Sequence, residues 1–403
     1  ADPFPRHGST FGDRPTVLKE QPRHFSPNRL LNRFNVRRRI DNAIHFGSAS
    51  GFKEKASLHR LVELAIAGLH AVRIALAQIN TTGYALTLGV HSRIDKTIER
   101  VTSGTQTPYL KKAIAQARAR GFLGKNVLGK GYDIELQVFE GHGSYVAGEE
   151  TAMLESMQGR PAMPRQKPPF YPTDFGLYGK PTLVNNVETL CNIPRILYKG
   201  AAWFTQVGTE KCPGTMMFSL SGSVNRPGVY EMPMGVTIRE LIEKCGGGVA
   251  GGRQIKAVFP GGPAFSMVTA DQLDLQMDFD SLKKAGTGLG SAGTIVIDDA
   301  TCMVAATLKY SNFFKGESCG QCPPCRMGTN NLATLMAKIE EGQGTQKDMD
   351  SLLQLCGFVK GTGYCTLVTG AAVLVQSSVK LFQKEYEEHL RLQRCPFKPA
   401  VVG

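Results

Sequence analysis

Apolar residues recur at helical spacing in two segments of the first half of the chain, from Leu58 to Ala77 and from Leu110 to Ala119. Residues 84–90 and 134–139 instead alternate between apolar and polar side chains, which is typical of a half-buried strand. The second alternating segment leads into a glycine-containing turn, and another helix is predicted to begin at about residues 148–150. Strands and helices that alternate in this way predict an α/β layer.

The middle of the chain predicts short paired strands around a small helix. Residues 217–222 and 229–232 form two apolar runs with a proline and glycine turn between them. Thr237 and Glu240 have the spacing of a capping box and predict the start of a helix. Residues 255–259 predict a further strand. A small β-grasp-like domain follows from this order of elements.

The last hundred residues predict helices only. Apolar positions recur at helical spacing over residues 303–314, 327–341, 349–359 and 371–390. Several helices separated by short loops predict a helical bundle whose loops are available to hold a functional group.

Charge and hydropathy exclude some classes of protein. The net charge is +13, and residues 1–46 hold nine Lys and Arg against four acidic residues. No nucleic-acid-binding motif or aromatic platform accompanies this basic segment, so nucleic acid is not the predicted partner, and a targeting remnant or a strap onto an acidic subunit is favoured. The most apolar stretch, Leu64 to Ala77, is interrupted by His70 and Arg73, so no membrane span is predicted.

Three of the ten cysteines lie within seven positions, at Cys319, Cys322 and Cys325. Gly320 and the pair Pro323-Pro324 favour a tight loop that would let three thiolates reach three irons of one cubane cluster. A structural zinc ion is a less favoured alternative, because structural zinc sites usually pair two Cys-x-x-Cys units. A disulfide is less favoured still. The pattern therefore predicts an iron–sulfur cluster in a reducing compartment.

The fourth cluster ligand must come from another part of the chain, and Cys365 is the predicted residue. It follows the flexible segment Gly361 to Gly363, whereas Cys356 lies in an apolar periodic stretch that predicts the buried face of a helix. The remaining cysteines are interpreted as ordinary thiols. They are Cys191, Cys212, Cys245, Cys302 and Cys395.

Residues 141–151 stand where a predicted strand passes into a helix, so backbone amides there can face a polar or anionic cofactor. Glu149 and Glu150 at the helix start could equally serve as partners of the helix dipole, and the motif alone is weak. Two proline-containing polar segments follow, at residues 164–170 and 181–189. These two segments have no obvious packing purpose, so a cofactor cleft is the more specific explanation for loops of this composition.

Six motifs in this order resemble the NADH-oxidising flavoprotein subunit of respiratory complex I and the similar diaphorase subunits of NAD-coupled hydrogenases and formate dehydrogenases. They are GEET, PRxKPPF, PTLVNNVETL, SGSVNRPGVYE, GTGLGSAGTIVID and ESCGQCPPCRMG, and the likeness extends from about Leu58 to Leu390. The resemblance implies an α/β protein with a Rossmann-like flavin domain, a ubiquitin-like SLBB domain and a C-terminal helical domain with one [4Fe-4S] cluster.

The domain boundaries expected from the pattern and the resemblance divide the chain into five parts. They are a basic irregular extension over residues 1–46, the FMN and NADH domain over 47–206, the SLBB domain over 207–295, the helical cluster domain over 296–395 and a tail over 396–403.

The resemblance also implies roles for individual residues. Tyr145 and Glu150 would face the nicotinamide of NADH as the catalytic pair, Gly148 and Glu149 would face the flavin, and Phe170 would stack on the adenine.

Three polar residues further along would hold the phosphate and ribityl end of FMN, and the four cysteines would bind the metal. The FMN residues are Asn185, Asn186 and Thr189, and the cluster ligands are Cys319, Cys322, Cys325 and Cys365. The implied activity is oxidation of NADH through FMN, with single electrons passed to the cluster.

The implied partners are other iron–sulfur subunits, namely a thioredoxin-like [2Fe-2S] subunit and a large iron–sulfur subunit. The implied location is the matrix side of the mitochondrial inner membrane or the cytoplasmic face of a bacterial membrane.

Two family segments are not intact in this chain. The family has a glycine-rich flavin loop of the type GRGGAGFPTG and a segment of the type NADEGEPGTFKDR, whereas residues 47–55 resemble only the end of the second. Residues 43–46, which stand at the places of its Asn and acidic residues, are Ala, Ile, His and Phe. A structural or relay subunit that keeps the cluster without the flavin is therefore an alternative function, as is a hydrogenase or formate dehydrogenase diaphorase.

Overall fold

The structure is a computed structural model, and it describes residues 106–141 and 143–397. The basic extension over residues 1–46, the helix predicted over 58–77 and the strand predicted over 84–90 lie outside the described residues. Among the described residues, no helix is both long enough and apolar enough to cross a membrane.

The described part before residue 215 consists of helices and loops. The α-helices are α1 (Gln106–Ala119), α2 (Glu150–Met157), α3 (Pro172–Phe175), α4 (Val187–Lys199) and α5 (Ala201–Phe204). The helix predicted over residues 110–119 and the helix predicted at 148–150 are confirmed as α1 and α2. The strand predicted over 134–139 is wrong, because Ile134 forms only an isolated bridge with Gly124 and Phe139 is about half exposed.

The central part forms one mixed sheet of five strands. They are β1 (Thr215–Gly222), β2 (Gly228–Pro233), β3 (Ile255–Phe259), β4 (Val268–Thr269) and β5 (Gly293–Asp298), in the spatial order β2-β1-β5-β3-β4. β1 pairs with β5 in parallel, and the other neighbouring pairs are antiparallel. A mixed sheet with short helices between its strands agrees with the predicted β-grasp domain.

Local signals explain why this sheet forms. The register that joins Leu220 to Gly228 closes the predicted hairpin of β1 and β2. The side chain of Thr237 accepts a hydrogen bond from the Glu240 amide and the Glu240 carboxylate accepts one from the Thr237 amide, so the predicted capping box opens α6 (Ile238–Glu240). Helix α7 (Phe279–Lys284) is capped in a similar way by Asp278.

The inner strands of the sheet are buried on both faces. Val258 and Val296 point into the core of the sheet domain together with Phe218, whereas Phe259 and Ile297 point into the core of the helical domain. The alternation follows from the two-residue period of a strand. The sheet and the helices that hold the cysteines therefore share one packed interface.

The C-terminal part contains five helices. They are α8 (Met303–Glu317), α9 (Pro323–Glu340), α10 (Gln346–Val359), α11 (Leu367–Leu381) and α12 (Gln383–Leu392). Their apolar faces form a single core. The predicted helical bundle is confirmed. The single helix predicted over residues 371–390 is wrong, because this segment forms two helices, α11 and α12. The chain breaks at Phe382, and the break turns Tyr386 and His389 into the core, where both are fully buried.

Candidate functional site

The three neighbouring cysteines lie where α8 ends and α9 begins. Cys319 is in the connection, Cys322 is the N-terminal cap of α9, and Cys325 is the third residue of that helix. Pro323 and Pro324 occupy the first two helical positions, where the missing amide hydrogens cost nothing. Gly320 adopts φ of 80°, a left-handed conformation that favours glycine. The chain therefore curls back on itself, although Cys325 lies in a helix and not in a loop as predicted.

Cys365 reaches the same place from the segment before α11. The amide of its neighbour Tyr364 donates a hydrogen bond to the Cys322 sulfur at 3.4 Å. Burial is the main cause that raises the pKa of the Cys365 thiol, and the nearby sulfurs of Cys319 and Cys322 raise it further. The four thiols therefore lie close together, and their role as cluster ligands remains a prediction.

Electrostatics explain why a cationic group suits this site. Burial raises the pKa of Cys325 most, and the sulfurs of Cys365, Cys322 and Cys319 raise it further, against a hydrogen bond with Ser318. Thiolates that lie close together in a partly buried site repel one another, so cations are needed to compensate their negative charge. The irons of a cubane cluster provide that compensation, and four converging sulfurs match its ligand set. The residues therefore fit a [4Fe-4S] cluster.

Cys356, the alternative fourth ligand, lies in the core of the helical domain. It is fully buried on α10, and burial raises its pKa to about 12. Its surroundings are those of a structural core thiol, as the apolar periodicity predicted.

Tyr145 joins the flavin motif to the cluster loop. Its amide donates a hydrogen bond to the carboxylate of Glu317, the last residue of α8, at 3.2 Å. Its ring packs edge-on against Phe313 of the same helix, with the ring centroids 5.2 Å apart. Burial raises the pKa of its hydroxyl, and the nearby Cys365 and Glu317 raise it further. No local pattern indicates Glu317 as a contact, because the two residues are 172 positions apart.

The two acidic residues of the GEET motif are bound to one lysine. Lys167 Nζ lies 2.7 Å from Glu149 Oε1 and 2.9 Å from Glu150 Oε1. Burial is the largest influence on both Glu149 and Lys167, raising the pKa of the first and lowering that of the second. The salt bridge outweighs burial, so the pKa of Glu149 lies below its ordinary value and that of Lys167 above. Both groups are charged at neutral pH.

Glu149 also caps α2. Its carboxylate accepts hydrogen bonds from the Ala152 amide at 2.8 Å and from the Thr151 hydroxyl at 2.5 Å. Thr151 in turn accepts from the amide of Arg165, whose guanidinium donates to Glu155. The predicted proline-containing segment over residues 164–170 is thus fixed against α2.

The remaining predicted cofactor residues occupy exposed positions. Asn185 and Asn186 directly precede α4, and Thr189 lies in its first turn. The Asn186 side chain accepts a hydrogen bond from the Glu188 amide at 2.9 Å. Phe170 is 44% exposed and packs at a tilt against Phe175.

Open backbone and exposed polar side chains occur among the residues predicted to hold FMN. A Cβ atom added at Gly148 would meet nothing within 4 Å, so the backbone there borders open space next to the charged Glu149 and Lys167 pair. Exposed polar groups stand at Asn185 and Asn186. This set of donors and open backbone fits one face of FMN. The described residues bring Tyr145 to the cluster thiols, and Glu149 acts electrostatically on Cys365.

Glu188 has a role that the sequence analysis missed. Its carboxylate accepts a hydrogen bond from the Met217 amide at 3.0 Å and so attaches α4 to the first strand of the sheet. Burial raises the pKa of Glu188, whereas this hydrogen bond lowers it. No local signal predicts a contact between residues 29 positions apart.

Comparisons with known proteins place the chain in a family. Residues 98–195 match the Nuo51 FMN-binding domain, residues 217–267 the SLBB domain, and residues 305–389 the NADH-ubiquinone oxidoreductase-F iron-sulfur binding region. The NADH-quinone oxidoreductase F subunit 2 of Rhizobium meliloti (strain 1021) is 46% identical over 288 residues, covering 72% of this chain and 68% of that relative. The chain belongs to the family of NADH-quinone oxidoreductase F subunits.

Two further relatives agree. The NADH-quinone oxidoreductase F subunit of Mycobacterium bovis (strain ATCC BAA-935 / AF2122/97) is 44% identical over 299 residues, which cover 73% of this chain and 67% of that one. The crystal structure of NAD+-reducing [NiFe]-hydrogenase in the H2-reduced state is similar with a TM-score of 0.63 and 31% identity over 74% of this chain. The chain spans about half of that hydrogenase chain, 48% of its length.

Membership of this family confirms several predictions. The fold class is mixed α/β with an SLBB domain and a helical iron–sulfur domain, and the predicted FMN and [4Fe-4S] cofactors agree with the matched domains. The chain is an oxidoreductase subunit of a larger assembly. The roles of individual residues remain predictions.

Proposed function

We propose that this chain is the electron-entry subunit of an NADH:quinone oxidoreductase. It oxidises NADH at the cleft beside Gly148 and passes single electrons through the four-cysteine site. The observation that carries this proposal is the hydrogen bond from the Tyr145 amide to the carboxylate of Glu317. It connects the segment of the proposed cleft to the residue that precedes the cysteine loop. The names and domains of the relatives support the same role.

When bound, FMN supplies two-electron chemistry with NADH and the [4Fe-4S] cluster supplies one-electron chemistry. The side chains of this protein position the cofactors and provide charged groups next to them. Lys167 lowers the pKa of Glu149 and holds the carboxylates of Glu149 and Glu150 in one orientation, so that polar groups meet the nicotinamide and flavin without rearrangement. Tyr145 is partly buried close to Cys365, so it brings the motif that borders the cleft to the edge of the cluster site.

The cluster ligands in this proposal are Cys319, Cys322, Cys325 and Cys365. The Tyr364 amide donates its hydrogen bond to the Cys322 sulfur and so stabilises negative charge there. A reduced cluster carries one more negative charge than an oxidised one, so a donor beside a ligand sulfur favours the reduced state. This backbone amide therefore raises the reduction potential of the site.

A pair of cysteine variants tests the ligand set. Cys365→Ser should lose iron and the paramagnetic signal of the reduced cluster, because a hydroxyl is a poor substitute for a thiolate ligand. Cys356→Ser is the matched control, and it should keep both. Loss of the signal in the control, or its survival in Cys365→Ser, contradicts the assignment.

A second experiment tests the cleft. Glu150→Gln should impair reduction of ferricyanide by NADH while the iron content stays unchanged, and Glu243→Gln, an exposed residue of the sheet domain, should leave both unchanged. Turnover by Glu150→Gln equal to that of the unaltered protein contradicts the role of Glu150.

A relay subunit without flavin is the second candidate, and the altered glycine-rich segments of the sequence favour it. Flavin fluorescence after denaturation of the purified protein separates the two functions, because the relay predicts none. A hydrogenase diaphorase would share the same chemistry, and the similarity to the hydrogenase chain supports it. The co-purified subunits distinguish a diaphorase from the complex I subunit.

The proposed partners are a thioredoxin-like [2Fe-2S] subunit and a large iron–sulfur subunit, which would accept the electrons in turn. The proposed location is the matrix side of the mitochondrial inner membrane or the cytoplasmic face of a bacterial membrane. Affinity purification from the native source followed by mass spectrometry identifies the partners, and protease protection in isolated organelles or membrane vesicles identifies the side of the membrane.

A further inference from the structure

A second group of metal-ligating side chains lies in the helical domain, away from the cluster loop. Cys302, Glu340, His389 and Cys395 each offer one ligand atom, and these four atoms all lie within 4.8 Å of one another. The sequence alone predicts that Cys302 and Cys395 are ordinary thiols. We propose that these four side chains form a structural zinc site.

The distances match the edges of a tetrahedron around zinc. The Cys302 sulfur lies 3.4 Å from His389 Nε2 and 3.6 Å from Glu340 Oε2, and the last two atoms are 3.2 Å apart. Zinc bonds of about 2.3 Å to sulfur and about 2.0–2.2 Å to nitrogen and oxygen give tetrahedral edges of about 3.4–3.6 Å. The three measured separations agree with these edges to within about 0.2 Å.

The type and burial of the donors favour zinc in a structural role. Two sulfurs, one imidazole and one carboxylate suit this ion better than calcium or magnesium, which prefer oxygen ligands. All four residues are buried, with His389 at 0% exposure and Cys302, the most exposed of them, at 6%. Four protein ligands without access to solvent are typical of structural and not of catalytic zinc.

Groups around the site orient the ligands. His389 Nδ1 lies 2.6 Å from the backbone carbonyl oxygen of Glu385, which can only accept, so Nδ1 donates and Nε2 presents its lone pair to the metal. The Cys302 sulfur accepts a hydrogen bond from the Ala305 amide at the N-terminus of α8, where the helix dipole also favours a thiolate.

The site joins the ends of several helices. Cys302 precedes α8, Glu340 ends α9, His389 lies in α12, and Cys395 follows that helix after a short turn. The other ends of α8 and α9 hold the cluster cysteines. A helix of 15 residues is about 22 Å long, so zinc and cluster lie at opposite ends of one helix pair. Zinc has no redox chemistry, and its role here is to clamp the frame that positions the cluster.

A buried ion pair of Glu340 with protonated His389 is one alternative, and a disulfide between Cys302 and Cys395 is another. The ion pair uses only Glu340 and His389, and the disulfide would use only Cys302 and Cys395, whereas one zinc ion uses all four donors. Both cysteines are free thiols in the structure, with no disulfide between them.

The test measures zinc and iron separately in the purified holoprotein. Elemental analysis should find one zinc per chain in addition to the cluster iron. X-ray absorption at the zinc edge should show two sulfur neighbours at about 2.3 Å and two nitrogen or oxygen neighbours at about 2.0–2.2 Å. Absence of zinc from protein that contains iron, or a shell of four sulfurs, overturns the proposal.

Variants assign the zinc to these residues. Cys395→Ser and Glu340→Gln should each lower the zinc content severalfold and keep the iron. Cys365→Ser should instead lower the iron content and keep the zinc. Cys212→Ser, a partly buried thiol of the sheet domain, is the control and should keep both metals. Should Cys395→Ser fail to fold, growth with cobalt provides a second measurement, because tetrahedral cobalt with two thiolates absorbs strongly in the visible range. Zinc retained by Cys395→Ser, or a Cys302–Cys395 disulfide found by mass spectrometry, refutes the site.

Discussion

Gly328 lies on α9 less than one turn beyond Cys325, and its substitution by alanine tests how closely the helices around the cluster are packed. A Cβ atom at this position would lie 2.7 Å from Val359 Cγ1 of α10 and 3.7 Å from Val368 Cγ2 of α11. The first distance is far below van der Waals contact, and Val359 is itself buried. Helix α10 must therefore move away or Val359 must leave its rotamer.

The magnitude follows from two opposing effects. Alanine gains about 1 kcal/mol over glycine in a helix interior, whereas overpacking of a core costs about 1–3 kcal/mol. Gly328→Ala is thus expected to destabilise the protein by about 0–2 kcal/mol. Val368 is three residues from Cys365, so the same displacement should make the cluster more labile and lower the iron content after purification.

Gly357→Ala is the matched control. Gly357 lies in α10, is exposed, and a Cβ atom there would meet nothing within 4 Å. The same substitution should therefore stabilise the protein by about 0.5–1 kcal/mol. Thermal unfolding should place the melting temperature of Gly357→Ala above that of the unaltered protein and that of Gly328→Ala below it. Equal melting temperatures for both variants, with equal iron content, would refute the argument.

Two further predictions concern contacts that join the parts of the chain. Lys167→Met should destabilise the protein by about 1–2 kcal/mol near neutral pH, after allowance for partial solvent screening. Folding lowers the pKa of Glu149, so this stability is present above about 4.5, its ordinary value, and is lost as the pH falls through the folded value. Urea unfolding should therefore show the two proteins converging in acid, and a constant difference would contradict the salt bridge. Glu188→Ala should accelerate hydrogen exchange at the Met217 amide, while Glu188→Gln should preserve most of the protection, and unchanged exchange in the alanine variant would show that this bond contributes nothing.

Patterns within a few residues were sufficient to predict much of the helical and SLBB parts. The capping box at Thr237 and Glu240 and the hairpin of β1 and β2 formed as predicted, because each depends on hydrogen bonds between residues close in sequence. The cysteine spacing predicted a loop that curls around one point, and Gly320 has the left-handed conformation that such a loop needs.

Long-range packing explains where the predictions from local patterns were wrong. The alternation over residues 134–139 predicted a strand, but alternation alone supplies no partner for a strand's backbone groups. The break at Phe382 interrupts a periodic pattern that would otherwise continue, because the packing of Tyr386 and His389 in the core requires a turn there. Local propensity is a weak prior that burial readily overrides.

Local motifs were sufficient to predict which residues could bind a cluster and to show that the chain resembles NADH-oxidising flavoprotein subunits. Both depend on the order and spacing of nearby residues. The folded chain was needed to show that Tyr145 contacts the cluster loop through Glu317 and that Cys302 and Cys395 meet Glu340 and His389. Most of these contacts join residues that are dozens of positions apart, so no local preference can bring them together. The free energy of packing the helices and the sheet does so.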